Sequence, residues 1–171
     1  MKTINNSCIE TKNKNNEVNI QCFKPIIYND SKILILGTMP GKESLSTREY
    51  YAHKRNLFWQ IMSNIFNNDM PFKSYSEKIE CFKHHNIALW DVIESCNRKG
   101  SLDKKIEKPK INDIENLLKE HPSIKKIIFN GKKAKKYYTP SICFEIALST
   151  SPANRYSNIE ITESWIKALL H

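Results

Sequence analysis

Amide, carboxylate, imidazole and hydroxyl side chains cluster in five short segments of the chain. In residues 50–59 (YYAHKRNLFW), two tyrosines, His53, two cations and Asn56 stand directly before an apolar stretch. An aromatic ring can stack on a nucleobase, a cation can meet a phosphate, and a primary amide can hold a water through its fixed donor and acceptor. Residues 129–134 (FNGKKA) set Asn130 and Gly131 ahead of a lysine-rich stretch, where an opening helix would turn its N–H groups toward the same rim. Asp91, after Trp90, offers a carboxylate to an N–H donor. Residues 37–41 (GTMPG) combine two glycines with a proline, suited to a tight turn and close backbone approach. Residues 149–156 (STSPANRY) supply hydroxyls, backbone donors and a rigidifying proline to grip a phosphate. Each segment also has a plain structural use: Asn56 as a helix cap, Asn-Gly as a turn, His53 as a surface imidazole, and Asp91 as a cap or ion-pair partner.

Other chemistry lacks its signature. GTMPG is neither the GxxxxGK[ST] phosphate loop nor the GxGxxG dinucleotide fingerprint. The cysteines at positions 8, 22, 81, 96 and 143 show neither CxxC nor metal-ligand spacing with histidine, so we expect reduced, mostly buried thiols, no metal and no cofactor. No apolar run approaches the roughly 20 residues that cross a bilayer, and the N-terminus has no apolar stretch resembling a signal peptide. A cytoplasmic protein without membrane association is expected. Lys and Arg total 27 against 18 Asp and Glu, giving a net charge of +9. That balance suits a polyanion, because bound cations release its counterions. The excess is nearly all lysine, in a chain also rich in Asn and Ile, so codon composition competes with nucleic-acid binding as its origin.

To meet, these segments need a scaffold. Residues 32–37 (KILILG) form a continuous apolar run ending at glycine, the pattern of a strand buried on both faces, and 86–93, 125–131 and 142–148 repeat it. Helical spacing marks 56–66, 75–84, 111–119, 132–138 and 160–170. Strands alternating with helices predict an α/β domain of three layers, α/β/α, around a central, mainly parallel four-stranded sheet. Residues 1–21, low in apolar content, are expected to be a flexible N-terminal tail, with 22–171 one domain. Ligands in such a fold sit at strand carboxyl ends, which here are the chemistry-bearing segments.

Taken in order, GTMPG, YYAHKRNLFW, LWDVIESCNRKGSLD, IFNGKKA and LSTSPAN resemble the uracil-DNA glycosylase superfamily, most closely its hypoxanthine-DNA glycosylase (DNA-deoxyinosine glycosylase) branch. The resemblance spans about Lys32 to Trp165. It implies a monofunctional base-excision-repair enzyme that extrudes a deaminated nucleotide, hypoxanthine foremost, from damaged DNA and hydrolyses its N-glycosidic bond without a cofactor. Mismatch-specific uracil glycosylases carry GINPG with a water-positioning asparagine. Met39 stands in that place here, which implies that the amide has moved to Asn56, and Lys54 replaces the usual proline of AHPxN. By the same resemblance Asn56 orients the water and Asn130 contacts base or water. Gly37, Thr38, Met39, Tyr51, His53 and Asp91 form the base pocket, with Tyr51 stacking, Asp91 accepting from N1–H, and N–H groups near Thr38 and Met39 receiving the departing anion. Ser149, Ser151, Pro152, Ala153, Asn154 and Arg155 would pinch the DNA backbone, and a monomer is expected. The competing readings are a mismatch-specific uracil or thymine glycosylase, a catalytically inactive nucleic-acid-binding module, and a nucleotide-binding α/β regulator. If the loop at 149–155 grips phosphate, affinity for duplex DNA falls from low to physiological ionic strength; a flat salt response would remove that assignment.

Overall fold

A computed structural model describes residues 11–12, 18–98 and 105–170. Its elements run β1 (Thr11–Lys12), β2 (Val18–Gln21), β3 (Ile33–Gly37), α1 (Lys42–Thr47), α2 (Phe58–Phe66), α3 (Tyr75–His84), β4 (Ile87–Asp91), β5 (Ile93–Asn97), β6 (Glu107–Ile111), α4 (Ile114–Glu120), β7 (Lys126–Asn130), α5 (Lys132–Tyr137), β8 (Cys143–Ala147) and α6 (Asn158–Leu170).

The four apolar runs make one parallel sheet in the order β4-β3-β7-β8. Alternation along β3 explains the layers. Leu34 and Leu36 join Ile127, Phe129 and Ala88 under α4 and α5, where Ile114, Leu117 and Ala134 are buried. Ile35 joins Leu89 and Ile128 on the opposite face, under Phe58, Ile61 and Met62 of α2, Phe82 of α3 and Trp165 of α6. Both faces are covered, so these strands read as continuous apolar runs rather than alternating ones. The sheet grows one way from β3 to β4 and the other way from β3 to β7, so a crevice opens between the carboxyl ends of β3 and β7.

A second, antiparallel sheet, β1-β2-β5-β6, was not foreseen. The run expected as one strand over 86–93 breaks at Val92. The amides of Val92 and Ile93 donate to the carbonyls of Gly37 (2.8 Å) and Thr38 (3.1 Å), and the chain then leaves the parallel sheet as β5. Residues 18–21, assigned to the tail from sequence, are β2, paired at Asn19↔Asn97, Ile20↔Cys96 and Gln21↔Ser95. Ile20 is buried, but VNIQ is too short an alternation to stand out. The rest of the expected tail, residues 1–10 and 13–17, lies outside the described residues, as does Cys8. Pro109 marks β6 as an edge strand, and EKPKI is largely exposed, so it carries no apolar signature. Helix α1 was missed because KESLST is polar.

Phe58 anchors α2. It is fully buried, with ring centroids 4.0 Å from Tyr51, 4.9 Å from Trp59 and 5.4 Å from Trp165. Among the described residues no helix is long and apolar enough to cross a membrane. Replacing Phe58 by Ala should destabilise the domain by about 3–5 kcal/mol. A urea-unfolding shift below about 1 kcal/mol would show that the aromatic cluster does not carry the α2 face.

Candidate active site at the strand carboxyl ends

A cavity of about 630 Å³ opens at the carboxyl ends of the parallel strands, within the roughly 300–1,000 Å³ usual for small-ligand pockets. Gly37, Thr38, Met39, Tyr51, His53, Asn56, Asp91, Asn130, Ser149, Ser151, Pro152, Ala153 and Asn154 all line it. Arg155 is not among the lining residues; it is exposed, next to Asn154. Sequence reasoning passed over Glu43, Thr150, Lys132, Lys133, Ile146 and Tyr156, which also line the cavity. Thr150, Lys132 and Lys133 fall inside motifs already singled out, and Ile146 lies at a strand carboxyl end, so proximity was the available signal. Nothing in α1 marked Glu43.

The strongest polar link in the site joins Asn130 to Thr150. The Asn130 Nδ2 donates to Thr150 Oγ1 at 2.9 Å, and the Thr150 amide donates to Asn130 Oδ1 at 2.9 Å. Thr150 is fully buried, and its carbonyl accepts from the Leu57 amide at 3.1 Å. The end of β7, the 149–154 loop and the start of α2 are thereby fixed to one another. Asn130 thereby orients the loop while lining the cavity, and its second Nδ2 hydrogen and second Oδ1 lone pair are what it can offer a ligand. Gly131 follows at φ 92, a conformation that strains any residue with a side chain, and a Cβ there would lie 2.9 Å from Ser149 Cβ. Helix α6 braces the same loop, since the Ser164 hydroxyl accepts from the Leu148 amide and the Trp165 indole N–H donates to the Leu148 carbonyl, each at 2.9 Å.

Asn56 is held at both its backbone and its side chain. Its amide donates to the His53 carbonyl at 2.8 Å, and its Oδ1 accepts from the Phe58 amide at 3.0 Å at the opening of α2. The cap and the cavity-lining amide are thus one residue. The remaining Oδ1 lone pair and the Nδ2 hydrogens are what Asn56 can offer a ligand. The His53 Nδ1 accepts from the Arg55 amide at 3.1 Å, which leaves Nε2 to carry the hydrogen of the neutral ring, 3.9 Å from Glu43 Oε1.

Asp91 is buried behind Gly37. A Cβ at position 37 would sit 2.5 Å from Asp91 Oδ1 and 2.9 Å from the Tyr51 hydroxyl, so the glycine is required by close approach. Tyr51 itself takes φ 54, uncommon for a bulky residue, while its ring packs tilted on Phe58. The Asp91 charge is felt around it. Burial first and this carboxylate second push the Cys22 thiol up to about 12, and the same two causes hold the Tyr50 phenol well above its ordinary range. Cys22 is therefore a protonated, unreactive thiol. Among the described residues no three His, Cys, Asp or Glu side chains gather to hold a metal ion.

A parallel sheet between helix layers, with its polar side chains gathered where the strand order reverses, defines an α/β protein that takes a small ligand at its strand carboxyl ends. Within that class the chain belongs to the uracil DNA glycosylase superfamily, whose family profile matches residues 25–169. A relative from Methanosarcina barkeri (strain Fusaro / DSM 804), named hypoxanthine DNA glycosylase, is 36% identical over 152 residues, covering 86% of this chain and 96% of its own. One of the same name from Methanosarcina acetivorans is 36% identical over 115 residues, covering 67% of this chain and 73% of its own. A solution NMR structure from M. acetivorans, described as a candidate uracil DNA glycosylase, superposes with a TM-score of 0.76 at 31% identity, covering 90% of this chain and 99% of that one.

Thr150→Val keeps the shape but leaves the Asn130 Nδ2 without its hydroxyl acceptor, at a cost of about 1–3 kcal/mol. Unchanged stability would show that the link does not organise the loop. Gly37→Ala should displace Asp91 or Tyr51 and weaken ligand binding more than it lowers Tm; a variant with native ligand affinity would contradict the close packing.

Proposed function

We propose that the chain from β2 onward forms a single DNA glycosylase domain of base-excision repair that removes deaminated bases, hypoxanthine first, as a monomer in the cytoplasm. The observation that carries this reading is the Asn56 amide, lining the cavity with its oxygen anchored by the Phe58 N–H. An amide so held presents a water in one orientation without being consumed. The names of the two Methanosarcina relatives support hypoxanthine as the substrate. So does Met39, whose side chain packs into a cluster with Ile20, Ile93 and Cys96 where a GINPG motif would carry asparagine.

The geometry supports the following course of reaction. An extruded nucleotide enters base first, Tyr51 backs its ring, and the loop of Ser149, Ser151, Pro152, Ala153 and Asn154 meets the phosphates, with Arg155 outside it. The C1′–N9 bond breaks with its electron pair going to the purine, the sugar gains oxocarbenium character, and the water on Asn56 forms the new C1′–O bond, losing a proton that through solvent neutralises the purine anion, so that free hypoxanthine and a 1′-hydroxyl sugar result. The peptide bonds of the described residues are all trans, so a carbonyl and the following N–H point in opposite directions. With the Gly37 and Thr38 carbonyls taken by Val92 and Ile93, the N–H groups of Thr38 and Met39 turn away from β5, in a segment that lines the cavity. There they stabilise the departing anion. Asp91 accepts from N1–H, which hypoxanthine has and adenine lacks, and the hydrogen on His53 Nε2 supplies a donor for the C6 carbonyl.

Single-turnover assays on duplexes containing inosine, uracil, a thymine mismatch or xanthine test this in EDTA. Inosine should be cut fastest, and Asn56→Ala should slow it by about 10²-fold or more. Uracil cut in preference would move the enzyme to another branch of the superfamily, and no cleavage would favour a binding module. An Asp91→Ala variant that kept both rate and the preference for inosine over adenosine would remove Asp91 from base reading.

A further inference from the structure

Arg98 directly follows β5, inside the LWDVIESCNRKGSLD segment but with no role assigned to it above, and it is only 3% exposed. Its Nη2 donates to the carbonyl of Pro40, which is 58 residues away and lines the cavity. This is the third carbonyl of the 37–41 turn to be taken from the same side, after those of Gly37 and Thr38 by the amides of Val92 and Ile93. The first two bonds come from backbone and are fixed by the strand. The Pro40 bond comes from a side chain and is the one that sequence can alter. Pro40 has no N–H, so its carbonyl is the one backbone hydrogen-bonding group by which that residue can be anchored.

We infer that Arg98 is a positioning residue for excision: by holding the Pro40 carbonyl against β5 it turns the Gly41 N–H to the opposite side and sets the aim of the N–H groups of Thr38, Met39 and Gly41 on the leaving purine. The inference rests on the proposed glycosylase reading. It also gives the second sheet a catalytic purpose. Ile20, Ile93 and Cys96 pack beneath Met39, and Arg98 closes the far end of the same turn, so the turn is backed by β2 and β5 along its length. Arginine suits this place, because its planar guanidinium presents donors in a fixed geometry and so holds a carbonyl in one direction.

Donors aimed at a developing anion matter most when the base leaves poorly, and a residue needed only for folding would affect all bases alike. The experiment therefore compares wild type, Arg98→Met and Arg98→Lys on duplexes carrying inosine or 2-fluoroinosine, whose purine leaves as a more stable anion. Single-turnover rate, duplex Kd and Tm are read for each. Arg98→Met is expected to slow inosine excision about 10- to 100-fold, somewhat less than removal of a whole donor. Its duplex Kd should stay within about twofold, its deficit on 2-fluoroinosine should be several-fold smaller, and Arg98→Lys should recover part of the rate. Equal deficits on both substrates, or none, in an enzyme whose wild type cuts inosine would overturn the inference. If Arg98→Met does not fold, Arg98→Lys decides by the same ratio of deficits. A wild type that cuts neither substrate would instead sink the glycosylase reading itself.

Discussion

The paired hydrogen bonds between Asn130 and Thr150 are the constraint on which the site depends. They bridge 20 residues of sequence and join β7 to the loop after β8, and the Thr150 carbonyl then takes the first link to α2. Both partners are buried, so water does not compete for these groups, and each has its polar atoms engaged. A buried amide with both ends committed admits one orientation. Asn56 sits one residue before the anchored Leu57 amide, and so its place in the cavity is inherited from a bond it does not make.

The second constraint is the fork at Val92. One apolar run serves two sheets, ending the parallel one with Asp91 and opening the antiparallel one with Ile93. The fork delivers a carboxylate to the floor of the cavity and, two residues later, begins the strand that backs the GTMPG turn. The cavity is therefore walled by side chains on the strand ends and floored by peptide groups whose direction is set from behind. Small-ligand sites on open α/β sheets are commonly built on such ends.

How legible this was in sequence follows burial. The four parallel strands were readable because burial on both faces makes continuous apolar runs, and helices α2 and α3 showed because one face of each is apolar. The second sheet was not readable. Strand β2 has one buried isoleucine in the available alternation, β6 is exposed and carries a proline, and β5 was fused to β4 because the apolar pattern runs on across Val92. In the site, the types of residue at the strand ends pointed to the right rim, since chemistry-bearing side chains cluster there regardless of their partners. Partners were what sequence could not supply. That Asn130 faces Thr150 and that Arg98 reaches Pro40 are facts of long-range geometry, fixed by packing between segments 20 and 58 residues apart.

The brace from α6 gives the site a place in time. Ser164 and Trp165 hold Leu148, two residues before Thr150, so the 149–154 wall of the cavity is secured by an element the ribosome makes after all the other walls. Those two contacts span only 16 and 17 residues, so they can close as soon as α6 is made. A chain that has not yet made α6 thus carries the motifs of the pocket without its finished wall. The pocket is complete only once the last described helix has docked, so its geometry belongs to the folded chain alone.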